Sequence, residues 1–574
     1  MVKYKNTTGT YTIRYITNAE SYEESNITEV LEATDLLFID TETTGVTRRD
    51  TLCLLQIKVN DTVFVIQVNA LPNSVFAAIM DAMNKESKTW VLHNAKFDLK
   101  FLYAKGVNVV ANIIDTMLME TVLYQGDTKG RLSLRDMAMN YCGIDLDKTE
   151  QTSDWSGCLT PEQLTYAAND VIVLEQVYNV VCKEISARGL EEVTAIENNA
   201  VKATARLEFN GVQIDTNVLR EEKRRIEKQI QELMKPFDAE RVNVNSPMQL
   251  KRFLHNRGIN VKKTDKEELA KFVEHDIVHQ IFTIKQLQSQ ITGFSALLVS
   301  RDRRTDRAYC TYNQNHTSTG RYSTVKPNIQ GLPHADSVRK MIIAPPGKQL
   351  VICDYSQIEL RIMAEVAEDP AMMQAYIEGK DLHRTTAATV NRIPYDEVTS
   401  EQRKAAKAMN FGLIYGMSGK TFIRYAKTNY GVDIDPDDAA EIIDSFFSLY
   451  KEVCNRIYVM EDKETNFEST KSGRIRIWKD KFPSMNVRCN YEIQGLGADI
   501  IKIALARVEK EMVCTGEAEL MVTVHDEIVI AVDKDRVEEL AVKLKTIMEE
   551  SAAVYLKKVP VIAEVSIGDN WAAK

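Results

Sequence analysis

The chain has 574 residues, of which 44% are hydrophobic and 27% charged, and its formal net charge is −10. This composition is ordinary for a globular protein, and the length predicts three or four domains. The sequence has no run of about 18 apolar residues and no signal-peptide core, so we expect neither a membrane partner nor secretion. The nine cysteines contain no Cys-x-x-Cys pair. They therefore predict neither a disulfide framework nor a zinc knuckle, and they favour a reducing cytoplasm.

Charge is distributed unevenly along the chain. Residues 1–200 contain 17 Lys and Arg against 28 Asp and Glu, whereas residues 201–320 contain 21 against 15. A basic segment between acidic flanks is typical of a protein whose middle part follows a phosphate backbone, although a solvated basic helix has the same composition. The segment from about residue 190 to 300 has a helical pattern. Such a segment could hold duplex DNA without reading its sequence.

The N-terminal third predicts a mixed sheet. The first stretch of about 35 residues is polar and gives no clear pattern. Apolar runs then predict strands over 36–40, 62–68 and 89–93, followed by helices over 95–103, 115–124, 132–141 and 161–185. Thr160 and Gln163 form a capping box that starts the last of these helices. Strands first and helices afterwards indicate a sheet flanked by helices.

Acidic residues recur at the ends of these predicted strands. Asp40 and Glu42 alternate on one strand and therefore face the same side. Asp98 follows the third strand, while Tyr166 and Asp170 lie four residues apart on the capped helix and share a face. Four carboxylates can hold two metal ions while Tyr166 orients an attacking water. This ordered set predicts a nuclease site.

A loop and a buried strand follow the basic segment. Arg321 stands beside Gly320 in the loop, where it could bind a phosphate or lie on a surface turn. The apolar run 349–353 predicts a strand that ends on Asp354. A carboxylate at the end of a buried strand is costly unless it has a partner. A metal ion is one such partner, and a role as a helix N-cap is the alternative.

A helix predicted over 401–416 carries functional side chains at every fourth position. Arg403, Lys407, Phe411 and Tyr415 lie along one side of this helix. Cations bind triphosphate oxygens, and aromatic rings stack on a base or a sugar. An amphipathic helix with extended Lys and Arg side chains has the same pattern.

Near the C-terminus, apolar runs on both sides of a three-residue polar turn predict a tight hairpin with Asp526 at its tip. Asp354 and Asp526 thus each stand at the end of an apolar strand. If the two strands are neighbours, this pair can hold two Mg²⁺ and stabilise both oxygens of a phosphoryl displacement.

Together these motifs resemble family A DNA polymerases of the bacterial DNA polymerase I large-fragment type. The matching segments are 354–361, 403–416 and 524–527, with Thr-Gly-Arg321, Asp381-x-His383 and Gln494-Gly495. The nuclease set resembles the proofreading 3′→5′ exonucleases of the DnaQ-like superfamily. That resemblance implies that Asp40, Glu42 and Asp170 bind one metal ion and that Asp98 assists at the second.

The polymerase resemblance implies a role for each matching residue. Asp354, Asp526 and the backbone carbonyl of Tyr355 would hold two Mg²⁺, for which Mn²⁺ could substitute. The residues implied to bind the incoming nucleotide are Tyr355, Gln357, Glu359, His383, Arg403, Lys407, Phe411 and Tyr415. Those implied to contact primer or template are Arg321, Asn490, Gln494 and His525. Lys407 would also protonate the leaving pyrophosphate, and Glu359 would block a 2′-hydroxyl. Phe411, where some members have Tyr, resembles members that discriminate against dideoxynucleotides.

The implied fold is a multidomain α/β and α+β protein, with a DnaQ-like (RNase H-like) exonuclease domain before a right-hand polymerase. We expect an exonuclease domain over 1–190, a helical thumb over 191–310, palm over 311–385, fingers over 386–480 and palm again over 481–574. The expected partners are primer–template DNA, dNTPs and a single-stranded 3′ end. The expected form is a monomer in the cytoplasm of a bacterial or phage-infected cell.

The sequence departs from the family pattern at two places. The exonuclease motif begins about 40 residues into the chain, so we expect no 5′-nuclease domain. Asn486 stands where the family has a primer–template Arg, and Arg488 is left unassigned. Two rival interpretations are a single-subunit RNA polymerase, against which Glu359 argues, and a DNA-binding protein with a live exonuclease and a silent polymerase body. The intact Asp354 and Asp526 pair argues against the second rival.

Overall fold

The computed structural model describes residues 2–6, 9–125, 128–151, 153–272, 274–333, 335–479 and 482–574, without the side chains of 2–6, 266 and 267. The N-terminal elements are β1 (Val2–Asn6), β2 (Gly9–Ile16), α1 (Ala19–Ser25), α2 (Ile27–Glu32), β3 (Leu36–Thr43), β4 (Leu52–Val59), β5 (Thr62–Gln67), α3 (Asn73–Met83), β6 (Thr89–Leu92), α4 (Lys96–Ala104), β7 (Asn112–Asp115), α5 (Thr116–Leu123), α6 (Leu134–Cys142) and α7 (Pro161–Ala187).

These strands form a seven-stranded sheet in the order β1-β2-β5-β4-β3-β6-β7. The pairing is mixed, since β3 runs antiparallel to β4 and parallel to β6, which confirms the predicted mixed sheet. The first 35 residues, for which the sequence predicted no element, contain β1, β2, α1 and α2, and β2 pairs in parallel with β5. The β4 strand was not predicted. All eight of its residues are buried, so it lacks the alternation that marks a half-exposed strand.

The two faces of this sheet pack into separate cores. Ile39 of β3 belongs to the core on one face, while its neighbour Phe38 belongs to the core on the other face together with Val171 of α7. Because side chains alternate along a strand, Asp40 and Glu42 point to the same side as Phe38. The sheet therefore directs both carboxylates toward α7. The predicted capping box is present, with the Thr160 side chain accepting from the Gln163 amide.

The middle of the chain is mostly helical, as predicted. Its elements are α8 (Glu191–Asn210), β8 (Val212–Gln213), α9 (Thr216–Ala239), α10 (Pro247–His255), α11 (Lys266–Leu269), α12 (Asp276–Ser300), β9 (Arg301–Asp302), β10 (Arg307–Ala308), β11 (Thr311–Asn313), β12 (Ser323–Val325) and α13 (Asp336–Arg339). The α8 helix joins the two halves of the molecule. Its Val201 lies in the core of the N-terminal sheet, whereas its Leu207 lies in the large C-terminal core.

The remaining elements are β13 (Lys348–Tyr355), α14 (Ile358–Ala367), α15 (Pro370–Ile377), α16 (Leu382–Asn391), α17 (Ser400–Leu413), α18 (Gly419–Tyr430), α19 (Pro436–Leu449), α20 (Lys451–Glu461), β14 (Phe467–Ser469), β15 (Ile475–Ile477), α21 (Met485–Val508), β16 (Ala518–Val524), β17 (Glu527–Asp533), α22 (Val537–Ala552) and β18 (Ala563–Gly568). Four of the strands form a sheet in the order β16-β17-β13-β18. In the described part of the chain, we find no helix long and apolar enough to cross a membrane.

Two predicted boundaries in this half are wrong by a few residues. The hairpin turn has two residues rather than three, because Glu527 already pairs with Val524. The helix predicted over 401–416 ends at Leu413, and Gly416 has a φ of 67° that no helix residue adopts. Tyr415 consequently lies in the turn after α17 rather than on its surface.

Candidate active sites

The first carboxylate site lies between β3 and α7. Asp40 and Glu42 come from the strand and Asp170 from the helix, and one carboxylate oxygen from each lies within 4.8 Å of the others. The alternation of β3 and the position of α7 on that face bring the three together. Tyr166 is one helical turn before Asp170, and its phenol ring is buried. Burial raises the pKa of Tyr166, so its hydroxyl stays protonated and can donate a hydrogen bond.

Asp98 lies close to this group without being part of it. It is buried on α4, and its carboxylate accepts a hydrogen bond of 2.6 Å from Thr41 Oγ1. The start of α4 is fixed by Asp115, which accepts from the backbone amides of Asn94 and Ala95. The negative charge of Asp98 raises the pKa of Asp40. The structure therefore brings three of the four predicted carboxylates together and places the fourth next to them.

The pKa values of these carboxyl groups are all raised. Burial is the main cause, and it moves the pKa of Glu42 to about 8, that of Asp98 to about 7 and that of Asp170 to about 6. Burial and three acidic neighbours hold the pKa of Asp40 well above its usual range. A crowded group of desolvated carboxylates fits a divalent cation, and an all-oxygen donor set is the set that Mg²⁺ and Mn²⁺ prefer.

Lys148 is a residue of this site that sequence reasoning missed. Its Nζ lies 3.8 Å from Asp170 Oδ1 and 5.7 Å from the centre of the Tyr166 ring. A cavity of about 440 Å³ opens beside it, lined by Asp147, Thr149, Glu150, Pro161, Glu162, Thr165, Tyr166, Asn169 and Asp170. The sequence gives no motif that indicates Lys148, because this residue lies in an irregular segment between α6 and α7.

The second carboxylate site is at the centre of the four-stranded sheet. Asp354 lies on β13 directly opposite Glu527 of β17, and the amide of Tyr355 donates to the carbonyl of Asp526 at 3.3 Å. The hypothesis that the two predicted carboxylate strands are neighbours is therefore confirmed. Burial and the negative charge of Asp354 raise the pKa of Asp526 to about 7. Asp354 and Asp526, joined through this backbone contact, supply the carboxylate oxygens that divalent cations prefer.

Lys574 is a further residue of this site that the sequence did not single out, and Glu527 was part of the matching segment 524–527 without an assigned role. Lys574 Nζ is 2.5 Å from Asp354 Oδ2 and 2.9 Å from Glu527 Oε2. The indole nitrogen of Trp571 donates to Glu527 Oε1 at 2.6 Å. These contacts join residues far apart in the chain, which no local pattern can indicate.

The side chains of α17 lie beside residues of α16. Arg403 forms an ion pair of 2.6 Å with Asp381, and the ring centres of His383 and Phe411 are 5.8 Å apart. Burial lowers the pKa of His383 to about 4, so this imidazole is neutral near pH 7. Lys407 is exposed on the same helix. Arg403, Lys407 and Phe411 lie on α17 as the spacing predicts, whereas Tyr415 lies in the turn after it and the neutral imidazole comes from α16.

Glu359 contacts two other predicted residues, each of which comes from a different motif. Arg321 donates to Glu359 Oε1, and the hydroxyl of Tyr415 donates to Glu359 Oε2. The Arg321 side chain thus makes a protein contact rather than standing on a free surface turn. The neighbouring Gln357 has a left-handed backbone with a φ of 55° and accepts a hydrogen bond of 3.1 Å from Tyr376.

Comparison with known proteins decides the family. The family model described as DNA polymerase family A matches residues 212–573, and a 3′-5′ exonuclease model matches residues 14–186.

The chain belongs to DNA polymerase family A.

Its relatives include DNA polymerase I of Aquifex aeolicus, which is 34% identical over 97% of this chain and 99% of that protein. DNA polymerase I of Pseudomonas aeruginosa is 29% identical over 94% of this chain and 64% of the relative. A solved structure of the polymerase domain of M. smegmatis Pol1, in complex with DNA primer–template and dNTP, shares the fold with a TM-score of 0.82, at 22% identity and over 98% of this chain and 99% of that one. The chain is thus a family A DNA polymerase with a 3′→5′ exonuclease domain.

Apart from Arg321, the residues implied to contact DNA lie on α21 and at the hairpin turn. Asn490 and Gln494 are half-buried on α21, and His525 is exposed at the hairpin turn with a φ of 54°. Asn486 donates to the carbonyls of Tyr415 and Gly416 at 2.6 and 2.9 Å, so it holds the turn that follows α17. Arg488 is buried in this polymerase and donates to Phe467 and Glu468. Its contacts give it a structural role.

Proposed function

We propose that this polymerase extends a DNA primer by two-metal nucleotidyl transfer at Asp354 and Asp526, and that it removes mismatched 3′ ends at Asp40, Glu42 and Asp170. The observation that carries the proposal is the placement of Asp354 at the end of β13 beside Asp526, which lies in the turn that leads into the paired strand β17. Two Mg²⁺ bound there would activate the primer 3′-hydroxyl and neutralise the charge that develops on the phosphates.

The protein's own residues would bind and orient the incoming dNTP. Arg403 and Lys407 supply positive charge for the triphosphate, and neutral His383 can donate one hydrogen bond to it. Lys407 is exposed and can pass a proton to the leaving pyrophosphate. Phe411 offers an aromatic face to the sugar. Closure of α17 on a matched base pair would make fidelity an induced-fit effect.

The exonuclease site would receive a frayed, single-stranded 3′ end. Tyr166 can donate to an attacking water because its hydroxyl remains protonated, and Asp98 would support the second metal ion. The cavity of about 440 Å³ beside Asp170 offers space for the terminal nucleotide. A mismatched end reaches this site more readily because it has already lost its base pairing.

We further propose that the partners are primer–template DNA and dNTPs, as in the complex of the M. smegmatis relative. A reducing cytoplasm fits the nine cysteines, all of which are free. The monomeric state remains a prediction. The division into exonuclease domain, thumb, palm and fingers remains a prediction, as does Mg²⁺ as the ion in use.

Primer extension with Mg²⁺ tests the proposed function. Asp354→Asn removes one metal ligand charge and should reduce incorporation by a factor of at least about 1,000. The matched control is Glu564→Gln, since Glu564 lies on β18, pairs with Asp354 there and is exposed. The control should extend primers normally. A wild-type chain that binds DNA and shortens primers without ever extending them would instead favour a live exonuclease on a silent polymerase body.

A further inference from the structure

Lys574 reaches into the polymerase carboxylate site from an anchored segment. Trp571, three residues earlier, is buried, and its Nε1 donates to Glu527. Lys574 Nζ contacts the other oxygen of Glu527 and also Asp354. Its side chain is 35% exposed, so it can leave one of these carboxylates without unfolding its surroundings.

The sheet places three carboxylates in one row. Glu527 of β17 and Glu564 of β18 both pair directly with Asp354 of β13. Like charges directly opposite each other on a sheet repel. Glu564 is exposed to water, and Glu527 accepts from Trp571 and Arg339. Among the residues that the structure describes, Lys574 is the cation that forms an ion pair with Asp354.

We propose that Lys574 is a positioning residue of the polymerase metal site. Its ammonium group neutralises Asp354 until a divalent ion binds that carboxylate, and it then stays in contact with Glu527. The proposal rests on the proposed function, because it assumes that Asp354 and Asp526 hold the ions. A divalent ion replaces the single charge of the ammonium at Asp354, while Glu527 keeps its contacts to Trp571 and Lys574. Lys574 thereby keeps Glu527 away from the ions.

Direct measurement of Mn²⁺ binding by electron paramagnetic resonance tests this role. The full chain would carry Asp40→Ala and Asp170→Ala, so that only the polymerase site binds the ion. Lys574→Gln removes the competing charge and should tighten Mn²⁺ binding by up to about fivefold. Lys574→Arg keeps the charge and should bind Mn²⁺ as the parent does. Lys558→Gln is the matched control, because Lys558 forms a surface ion pair of 2.6 Å with Glu368.

Thermal unfolding of each variant shows whether it is folded before binding is compared. Unchanged or weaker Mn²⁺ binding in a folded Lys574→Gln variant would overturn the role of Lys574. The role would also be overturned if Lys558→Gln increased the Mn²⁺ affinity as much as Lys574→Gln does. A further variant, Asp354→Asn, separates this failure from a failure of the proposed function. If Asp354→Asn leaves Mn²⁺ binding unchanged, the metal site itself is wrongly placed. If it abolishes binding while Lys574→Gln has no effect, only the role of Lys574 fails.

Discussion

Glu359 is held from both sides by side chains that come from distant parts of the chain. Arg321 and Tyr415 each donate to one of its two oxygens. A carboxylate held in this way has little freedom to rotate, so it can form a fixed wall beside the sugar of an incoming nucleotide. The sequence singled out each of these three residues separately, and the structure joins them by hydrogen bonds.

Replacing Glu359 should weaken discrimination against ribonucleotides. Glu359→Ala removes the wall that a 2′-hydroxyl would meet, so the preference for dNTP over rNTP should fall by at least about tenfold. The measurement is the ratio of kcat/KM for the two nucleotides on one primer–template. Glu378→Ala, at an exposed position, is the control. An unchanged ratio in Glu359→Ala would show that another residue selects the sugar.

His93 should make the protein less stable in mild acid. It is half-buried, with Nδ1 at 2.9 Å from Thr116 Oγ1, and desolvation lowers its pKa to about 4. Between this pKa and the unfolded value of about 6.5, the unfolded chain binds a proton that the folded chain does not. Stability that is present above pH 6.5 is therefore lost as the pH falls, by about 2 kcal/mol at pH 5.

Urea unfolding of wild type and His93→Gln at pH 7 and pH 5 measures this contribution. The loss of stability between the two pH values should be smaller in His93→Gln by about 2 kcal/mol. His279→Gln, at an exposed position, should behave as wild type. An identical loss in all three proteins would show that His93 titrates normally in the folded state.

At the scale of elements, the sequence predicts best where periodicity and end signals agree. The α7 helix has a capping box and a continuous apolar face, and β13 has an apolar run, so both were predicted. The β4 strand was not predicted because the buried polar residues Gln56 and Lys58 interrupt its apolar run. The β2 strand lies in a polar stretch and is fixed by pairing within the sheet and by a few buried side chains such as Ile13. Lys148 and Lys574 were missed for a related reason, because their partners are distant in sequence.

The start of α17 depends on a local capping box. The Thr399 side chain accepts a hydrogen bond from the backbone amide of Gln402. The Gln402 side chain in turn accepts one from the backbone amide of Thr399. Thr399→Ala removes this cap and should destabilise the first turn by about 1 kcal/mol. Hydrogen exchange of the first α17 amides should accelerate about fivefold. Thr428→Ala, exposed on α18, should leave α17 unchanged. Unchanged exchange in Thr399→Ala would mean that packing alone holds this end.

At the scale of the whole molecule, a buried polar network joins the exonuclease half to the polymerase half. Arg474, from the turn between β14 and β15, donates to Gln125 at 2.9 Å, to Asn315 at 3.0 Å, to Glu197 at 2.5 Å and to Asp499. Lys502 donates to the same Glu197 at 2.5 Å. The sequence predicts the order of the domains, but isolated polar residues give no indication of this junction.

Breaking this network should destabilise the junction strongly. Arg474→Met leaves Glu197 and Asp499 with less compensation inside the protein, which should cost about 3–5 kcal/mol. Denaturant unfolding measures the loss, and Arg476→Met, at a half-buried position two residues away, is the control. Adding Glu197→Gln to Arg474→Met should recover part of the loss. A loss below about 1 kcal/mol would show that the network contributes little.

Under the proposed function, one chain carries two independent two-metal sites, one for synthesis and one for proofreading. A labelled primer–template incubated with Mg²⁺ and dNTPs, or with Mg²⁺ alone, tests it with wild type, Asp354→Ala and Asp40→Ala. We expect Asp354→Ala to shorten primers without extending them, and Asp40→Ala to extend primers without shortening them. If either single substitution abolishes both activities in a folded protein, the two sites are not independent and the account is wrong.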